Sequence, residues 1–318
     1  MNIFVTGASG FIGNSFIKDL LARVGTDDII YTLVRVPSQC TDKRVKQLPG
    51  TLEAIDSYRK EVISSAYFFH IAADPKLNSQ NVNASLETTQ KIVSLLLEGK
   101  SLRKFVYISS IAAVGRESND LCSSPVSTQS RPCPNSKYGR SKLDSEKCIF
   151  MSGLPYVILR PSFVYGKFMR DDSHINKFVS LVWGKNPLIH FNYPGTISLI
   201  NVDDLARAMT NCIYGDSPVN KTYFAETEST TIGFILNMIN ERLFGKKLSQ
   251  IPLPFLRFLA NRFHVFLPLN FSILFSDYFW AKDDDFRKEL LAGSPCRKIV
   301  HSIDDVISTN KVVLASRP

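Results

Sequence analysis

Tyr138 and Lys142 stand four residues apart in Ser136-Lys-Tyr-Gly-Arg-Ser-Lys142, a spacing that on a helix puts both on one face, a turn from each other. A free phenol titrates near ~10 and is a poor proton carrier at neutral pH. An ammonium held beside it favours the phenolate and moves that value toward working pH. The pair is therefore a candidate proton donor and acceptor. A hydroxyl able to fix a substrate oxygen stands in Ser109-Ser110, at the end of the apolar run Phe105-Val-Tyr-Ile108. Tyr-x-x-x-Lys alone describes many surface helices, so the argument rests on the order of the parts.

The first part opens the chain. Asn2-Ile-Phe-Val-Thr-Gly-Ala-Ser-Gly-Phe-Ile-Gly13 is an apolar run that meets three glycines, Gly7, Gly10 and Gly13. That arrangement suits a pyrophosphate. Gly7 permits a tight strand-to-helix turn, Gly10 lets the backbone approach the phosphates, and Gly13 lets the helix pack closely on the strand. Phe11 and Ile12 open that helix, whose N-terminus offers free N–H donors and a partial positive charge.

The elements that must position these groups alternate along the chain. Strand-like runs Asn2–Thr6, Ile29–Arg35, Ala66–Ile71, Lys104–Ser109 and Tyr156–Arg160 are separated by helix-like segments near 11–22, 54–62, 81–98 and 138–152. Near-continuous apolar strands joined by helices predict a parallel, doubly wound α/β sheet of the Rossmann type. Residues 1–165 are expected to form that dinucleotide-binding domain. Residues 166–318, looser and proline-rich, are expected to form a smaller substrate lobe with some chain returning to the sheet. The most apolar stretch, 251–282, is interrupted by Pro252, Pro254, Arg257, Arg262 and Pro268, so it does not read as a spanning helix. Phe255, Leu259 and Phe266, with Phe258 and Phe263, form one face of a short amphipathic helix. It reads as lobe core or a pocket lid, with a peripheral membrane or partner surface as the alternative.

Composition excludes several classes. Among 318 residues, 44% are hydrophobic and 21% charged, ordinary for a globular protein. Six cysteines form no C-x-x-C pair and do not cluster with the five histidines, so no metal site and no disulfide framework are expected. The first strand begins at once, without a secretion signal, and the expectation is a cytoplasmic protein. The formal charge of +9 is scattered rather than gathered into a nucleic-acid groove. One short cluster, Lys43, Arg44 and Lys46, follows the second strand and is placed to serve a phosphate.

Taken together, Val5-Thr-Gly-Ala-Ser-Gly-Phe-Ile-Gly13, Phe69-His-Ile-Ala-Ala73, Asn81-Val-Asn83, Val106-Tyr-Ile-Ser-Ser110, Tyr138-Gly-Arg-Ser-Lys142, Leu159-Arg-Pro-Ser-Phe-Val-Tyr-Gly166 and Asn201-Val-Asp-Asp-Leu-Ala-Arg207 resemble the extended short-chain dehydrogenases/reductases, NAD-dependent epimerase/dehydratase group. The likeness covers residues 1–215 well. It implies that Tyr138 is the acid/base, that Lys142 lowers its pKa and holds the nicotinamide ribose, and that Ser110, rather than Ser109, binds the substrate oxygen. It further implies that Ala72 and Ala73 flank the cofactor, that Asn81 lies behind the active site, and that Pro161 and Val164 lie beside the nicotinamide. Helices near 81–98 and 138–152 form a dimer interface in relatives, so the resemblance admits a homodimer.

Departures from the pattern refine the expectation. Where members that prefer NAD end the second strand with an acid, this chain has Arg35, which with Lys43 and Arg44 favours NADP(H) over NAD(H). Thr51, before Leu52, replaces an acid that often contacts adenine. Phe163 and Ile197 stand where nucleotide-sugar epimerases of the family carry an asparagine and an arginine that hold a diphosphate. The reading is an oxidoreductase interconverting a ketone and a secondary alcohol, its leading small-molecule substrate a nucleotide-linked 4-keto sugar. Redox-neutral epimerisation or dehydration, reduction of a hydrophobic hydroxysteroid- or flavonol-type substrate, and a non-catalytic NADP-sensing scaffold remain as alternatives. Lys167, Arg170 and Lys177 are candidates for a replacement diphosphate site, and Trp183 with the Phe-rich segment for an apolar one.

Overall fold

The alternation of Ile3, Phe4 and Val5, all fully buried, decides the architecture. Successive strand residues face opposite sides, and here both sides are covered. The computed structural model describes residues 1–37, 42–72, 84–214, 218–291 and 293–315. Strand β1 (Asn2–Thr6) lies between β2 (Ile29–Val34) and β4 (Tyr67–His70) in a seven-stranded sheet. The other strands are β3 (Val45–Pro49), β5 (Lys104–Ile108), β6 (Tyr156–Pro161) and β10 (Lys221–Ala225), in the order β10-β6-β5-β4-β1-β2-β3, and every pairing is parallel. Ile3, Val5, Phe69 and Val106 meet α1 (Phe11–Leu21) and α6 (Val202–Asn211) on one face through Phe16, Leu20, Leu205 and Met209. Phe4, Phe68 and Phe105 meet α3 (Ala84–Glu98) and α4 (Lys137–Met151) on the other through Ile92, Leu96 and Ile149. This is the doubly wound arrangement expected.

Two local expectations need correction. Strand β3 was not anticipated, because Val45-Lys-Gln-Leu-Pro49 is a half-exposed edge strand with polar residues at its centre. The segment near 54–62 is mainly a 3-10 run, Leu52–Tyr58, followed by the single-turn α2 (Arg59–Ile63).

Beyond β6 the chain builds a second cluster. Strand β9 (Thr196–Asn201) pairs in parallel with β7 (Phe163–Tyr165) and antiparallel with β11 (Glu228–Thr231). Tyr165, Val179, Ile197, Leu199, Ile235 and Ile303 are its centre, brought by these strands and by α5 (His174–Trp183), α7 (Ile232–Phe244) and α10 (Ile299–Ile307). A further pair of helices, α8 (Pro254–Arg262) and α9 (Leu269–Phe275), packs at its rim. Strand β10 and helix α6 return to the main sheet, so residues after 166 contribute to both parts. The buried Arg116, after β5, donates to the carbonyls of Ser124, Asp277 and Tyr278 and ties the two together. Among the described residues no helix is long and apolar enough to cross a membrane, and no His/Cys/Asp/Glu group could hold a metal.

Candidate active site

The end of β5 and the start of α4 are held against each other by two serine caps and a glycine. Ser110 Oγ accepts the Ala112 N–H at 3.2 Å and opens a 3-10 turn over Ile111–Ala113. Ser136 Oγ accepts the Gly139 N–H at 3.0 Å and caps α4. A Cβ at Gly139 would lie 2.1 Å from the Ala112 carbonyl oxygen, so only glycine lets helix and turn approach this closely. The contact sets Tyr138 beside Ser110, whose hydroxyl favours the phenolate. Ser109, by contrast, is turned into the core, where its hydroxyl donates to Glu146. Of the two serines, Ser110 faces the phenol.

Lys142 is almost wholly buried behind this pair. Its Nζ donates to the Ile108 carbonyl at 2.6 Å and lies 4.7 Å from the centre of the Tyr107 ring. Burial pushes its pKa down to about 7, with Glu146 opposing the shift. Glu146 receives Arg160 Nε at 3.0 Å and Nη2 at 2.7 Å, and both side chains are buried. Burial raises the Tyr138 phenol, partly offset by the Ser110 hydrogen bond. The expected drop toward working pH is therefore not what this arrangement gives, because loss of solvent outweighs the effect of the Ser110 hydroxyl. Nearby His70, paired with Thr6 Oγ1 at 2.7 Å, is pushed down to about 3 by burial and then by the charge of Lys142.

Across the carboxyl edge of the sheet lies the glycine turn. Gly7 has φ +77°, and a Cβ there would meet the Ala72 backbone nitrogen at 2.6 Å. At Gly13 it would meet the Gly7 carbonyl oxygen at 2.1 Å, whereas at Gly10 its only near contact is the same oxygen at 3.3 Å. Gly7 and Gly13 are thus closed by packing, and Gly10 is the least crowded of the three, with one close backbone contact. No side chain caps α1 among the described residues, which leaves its first N–H groups, from Phe11, Ile12 and Gly13, for an anion. Ala72 flanks the turn, while Ala73 and Asn81 lie outside the described residues. Pro161 is buried at the end of β6, and Val164 is half-buried on β7.

Arg35 is exposed just past β2, at the same edge. Thr51 follows β3, where its hydroxyl bonds the Glu53 carboxyl and lowers its pKa, and Leu52 opens the 3-10 run. The basic cluster does not join Arg35. Strand β3 runs parallel to β2 and carries Lys43 and Arg44 to the amino edge, where Arg44 is engaged by Asp42 and the Val24 carbonyl.

The substrate side also departs from expectation. Ile197 is fully buried in the second core and cannot touch a ligand. Phe163 is half-buried, edge-on to Phe279 and His174. Lys167 pairs with Asp305 at 3.2 Å and Arg170 with Asp172 at 2.8 Å, so neither is poised for a diphosphate; Lys177 is exposed. Trp183 stacks on Phe244 within the lobe. Phe255, Phe258, Phe263 and Phe266 are exposed and do not form lobe core. Gly139, Glu146 and Arg160 were not singled out from sequence. Glu146 carried a usable signal, since it stands one further turn along the face of Tyr138 and Lys142.

The model of the NAD dependent epimerase/dehydratase family matches residues 3–224. A UDP-glucose 4-epimerase of Vibrio cholerae is 24% identical over 238 residues, covering 70% of this chain and 69% of that protein. A dihydroflavonol 4-reductase of Hordeum vulgare is 23% identical over 270 residues, covering 76% and 74%. Among solved structures, UDP-glucuronic acid 4-epimerase from Bacillus cereus, in complex with UDP-glucuronic acid and NAD, superposes with a TM-score of 0.77 at 20% identity, each chain covered in full. At that identity the likeness speaks for the fold.

Proposed function

The chain belongs to the NAD-dependent epimerase/dehydratase family, and from that premise we propose that it is an oxidoreductase interconverting a ketone and a secondary alcohol, with a nucleotide-linked 4-keto sugar as leading substrate. The observation that carries this reading is the Tyr138 phenol set beside the Ser110 hydroxyl, one turn from Lys142. Gly7, Gly10 and Gly13 with the uncapped start of α1 fit a dinucleotide, whose pyrophosphate would lie over Gly10. Ala72, Pro161 and Val164 would flank it, and Lys142 would hold its ribose. When bound, the dinucleotide supplies or accepts a hydride. Ser110 Oγ donates a hydrogen bond to the substrate oxygen and orients it, while Tyr138 Oη gives that oxygen its proton in reduction and removes it in oxidation. The raised phenol pKa suits the reducing direction, because it keeps Tyr138 protonated. Arg35 supports NADP(H) over NAD(H), now without help from Lys43 and Arg44.

Neither Phe163 nor the buried Ile197 can act as a diphosphate clamp, so a nucleotide-linked substrate must be held by other residues, whether it is reduced or epimerised. The 24% identity to a UDP-glucose 4-epimerase favours the second reading, a redox-neutral epimerisation at the same site. The experiment is turnover of NADPH with a UDP-linked 4-keto sugar. Stoichiometric consumption supports the reductase, whereas inversion at C4 of a UDP-linked hexose, already at the alcohol level, with no net change in the dinucleotide supports the epimerase. Tyr138→Phe should lower turnover about 10²–10⁴-fold while leaving dinucleotide affinity within about twofold. Near-normal turnover would remove Tyr138 from the mechanism.

A further inference from the structure

Five phenylalanines within residues 255–271 are exposed: Phe255 at 69%, Phe258 at 68% and Phe266 at 84%, with Phe263 and Phe271 beside them. Water does not favour so much aromatic surface in one place. The helix that carries the first two packs Leu256 and Ala260 on the second core and anchors itself there with two polar residues. Arg257 Nε and Nη2 reach the Asp277 carboxylate at 3.1 and 2.8 Å, and Asn261 Nδ2 reaches it at 3.0 Å. Asp277 is itself buried and accepts the Thr196 N–H at 3.0 Å. This clamp fixes the face of α8 that carries Leu256 and the buried Ala260 against the body of the protein. Phe255, Phe258 and Arg262, three and four residues apart, are left along the opposite face. The following turn is pinned as well, with buried His264 bonded to the carbonyls of Asn261 and Glu117 at 3.1 Å each, leaving Phe263 and Phe266 outside.

The charges of this segment have one sign. No acid occurs between Glu241 and Asp277, while Arg242, Lys246, Lys247, Arg257 and Arg262 do. Arg242 and Arg257 are paired with Asp304 and Asp277, and Lys246, Lys247 and Arg262 are exposed. We propose that this face docks on an anionic lipid bilayer. Aromatic rings enter the headgroup boundary while Arg262 meets lipid phosphates and the two exposed lysines earlier in the segment add longer-range attraction. Contact is peripheral, since no helix among the described residues is long and apolar enough to cross. A second copy of the chain is a poorer occupant. A two-fold contact sets the segment against itself, bringing cations toward cations with no acid of the segment between them.

The test is co-sedimentation of the full chain with vesicles of phosphatidylcholine alone and of phosphatidylcholine with 30 mol% phosphatidylglycerol. Binding should be at least tenfold stronger to the anionic vesicles and fall at high salt. Phe255→Ser/Phe258→Ser/Phe266→Ser should reduce it at least tenfold, and Lys246→Gln/Lys247→Gln/Arg262→Gln should remove the preference for anionic lipid. Circular dichroism and an unchanged thermal midpoint would show that both variants fold. A wild-type chain that stays in the supernatant, or a triple serine variant that binds equally well, overturns the proposal. So does concentration-dependent self-association without vesicle binding, if the serine variant abolishes it, since the face would then join two copies. A raised KM for a soluble substrate with vesicle partition unchanged also overturns it, in favour of a pocket lid.

Discussion

Glu146 and Arg160 form a bidentate ion pair between α4 and β6, with Arg160 Nε at 3.0 Å and Nη2 at 2.7 Å from the two carboxylate oxygens. The same carboxylate receives Ser109, whose neighbour Ser110 stands beside Tyr138, and it opposes the loss of charge on Lys142. One buried acid thus joins the strand end, the helix and the lysine. Such a pair is weak evidence of stability by itself, but removing one partner leaves a buried charge uncompensated. Glu146→Gln should destabilise the protein by about 3–5 kcal/mol in urea unfolding. Replacing both residues with apolar groups of similar volume should recover most of that stability but not turnover. A loss below about 1 kcal/mol for Glu146→Gln would mean that water reaches Arg160.

Gly139→Ala tests the close contact of α4 with the Ala112 carbonyl. The added Cβ would stand 2.1 Å from that oxygen, and backbone cannot move aside cheaply. Overpacking should cost about 1–3 kcal/mol of stability. Displacing Tyr138 from Ser110 by a fraction of an ångström up to one should lower kcat by about 10²-fold. Unchanged kcat would show that the pair tolerates separation.

His70 makes a prediction about acid. Its folded pKa is about 3 against an ordinary 6.5, because burial disfavours the charged ring. Below 6.5 the unfolded chain takes up a proton that the native ring refuses, so this contribution to stability is lost as pH falls toward 3, by at most about 1.4 kcal/mol per pH unit. His70→Gln keeps a polar partner for Thr6 and removes the titration. Unfolding free energies of both proteins between pH 6 and 4 should therefore converge, with the wild type losing more. Parallel curves would mean that His70 is solvated.

Five of the seven strands of the main sheet were legible because buried parallel strands are continuous apolar runs, and the glycine turn because only glycine meets its steric demands. Tyr138 and Lys142 could be paired from helical spacing alone. What spacing could not convey was where distant chain would lie. Gly139 owes its importance to Ala112, which stands 27 residues earlier and becomes a neighbour only once Ser110 has turned the strand end. Lys43 and Arg44 lie close to Arg35 in sequence, yet the unanticipated β3 places them at the opposite edge of the sheet. The Phe-rich helix read as lobe core or a pocket lid, with a peripheral surface as the alternative, and spacing could not reveal that Asp277 would bind its Arg257 and Asn261 while its rings stay exposed.

Arg35 consequently stands as the one residue of the basic group at the carboxyl edge, and the choice of dinucleotide can be tested on it alone. A guanidinium that grips a 2′-phosphate makes charge-assisted hydrogen bonds, each contributing roughly 1.5–3 kcal/mol. Arg35→Ala should therefore weaken NADPH by about tenfold to 150-fold and NADH by less than threefold, read by titrating both dinucleotides against both proteins. An arginine that merely stacks on adenine meets the same ring in either dinucleotide. Equal losses for NADH and NADPH would accordingly assign Arg35 to stacking and the protein to NAD. Raising the salt concentration separates the two cases again, since it screens the phosphate contact at this exposed position and leaves stacking nearly unchanged.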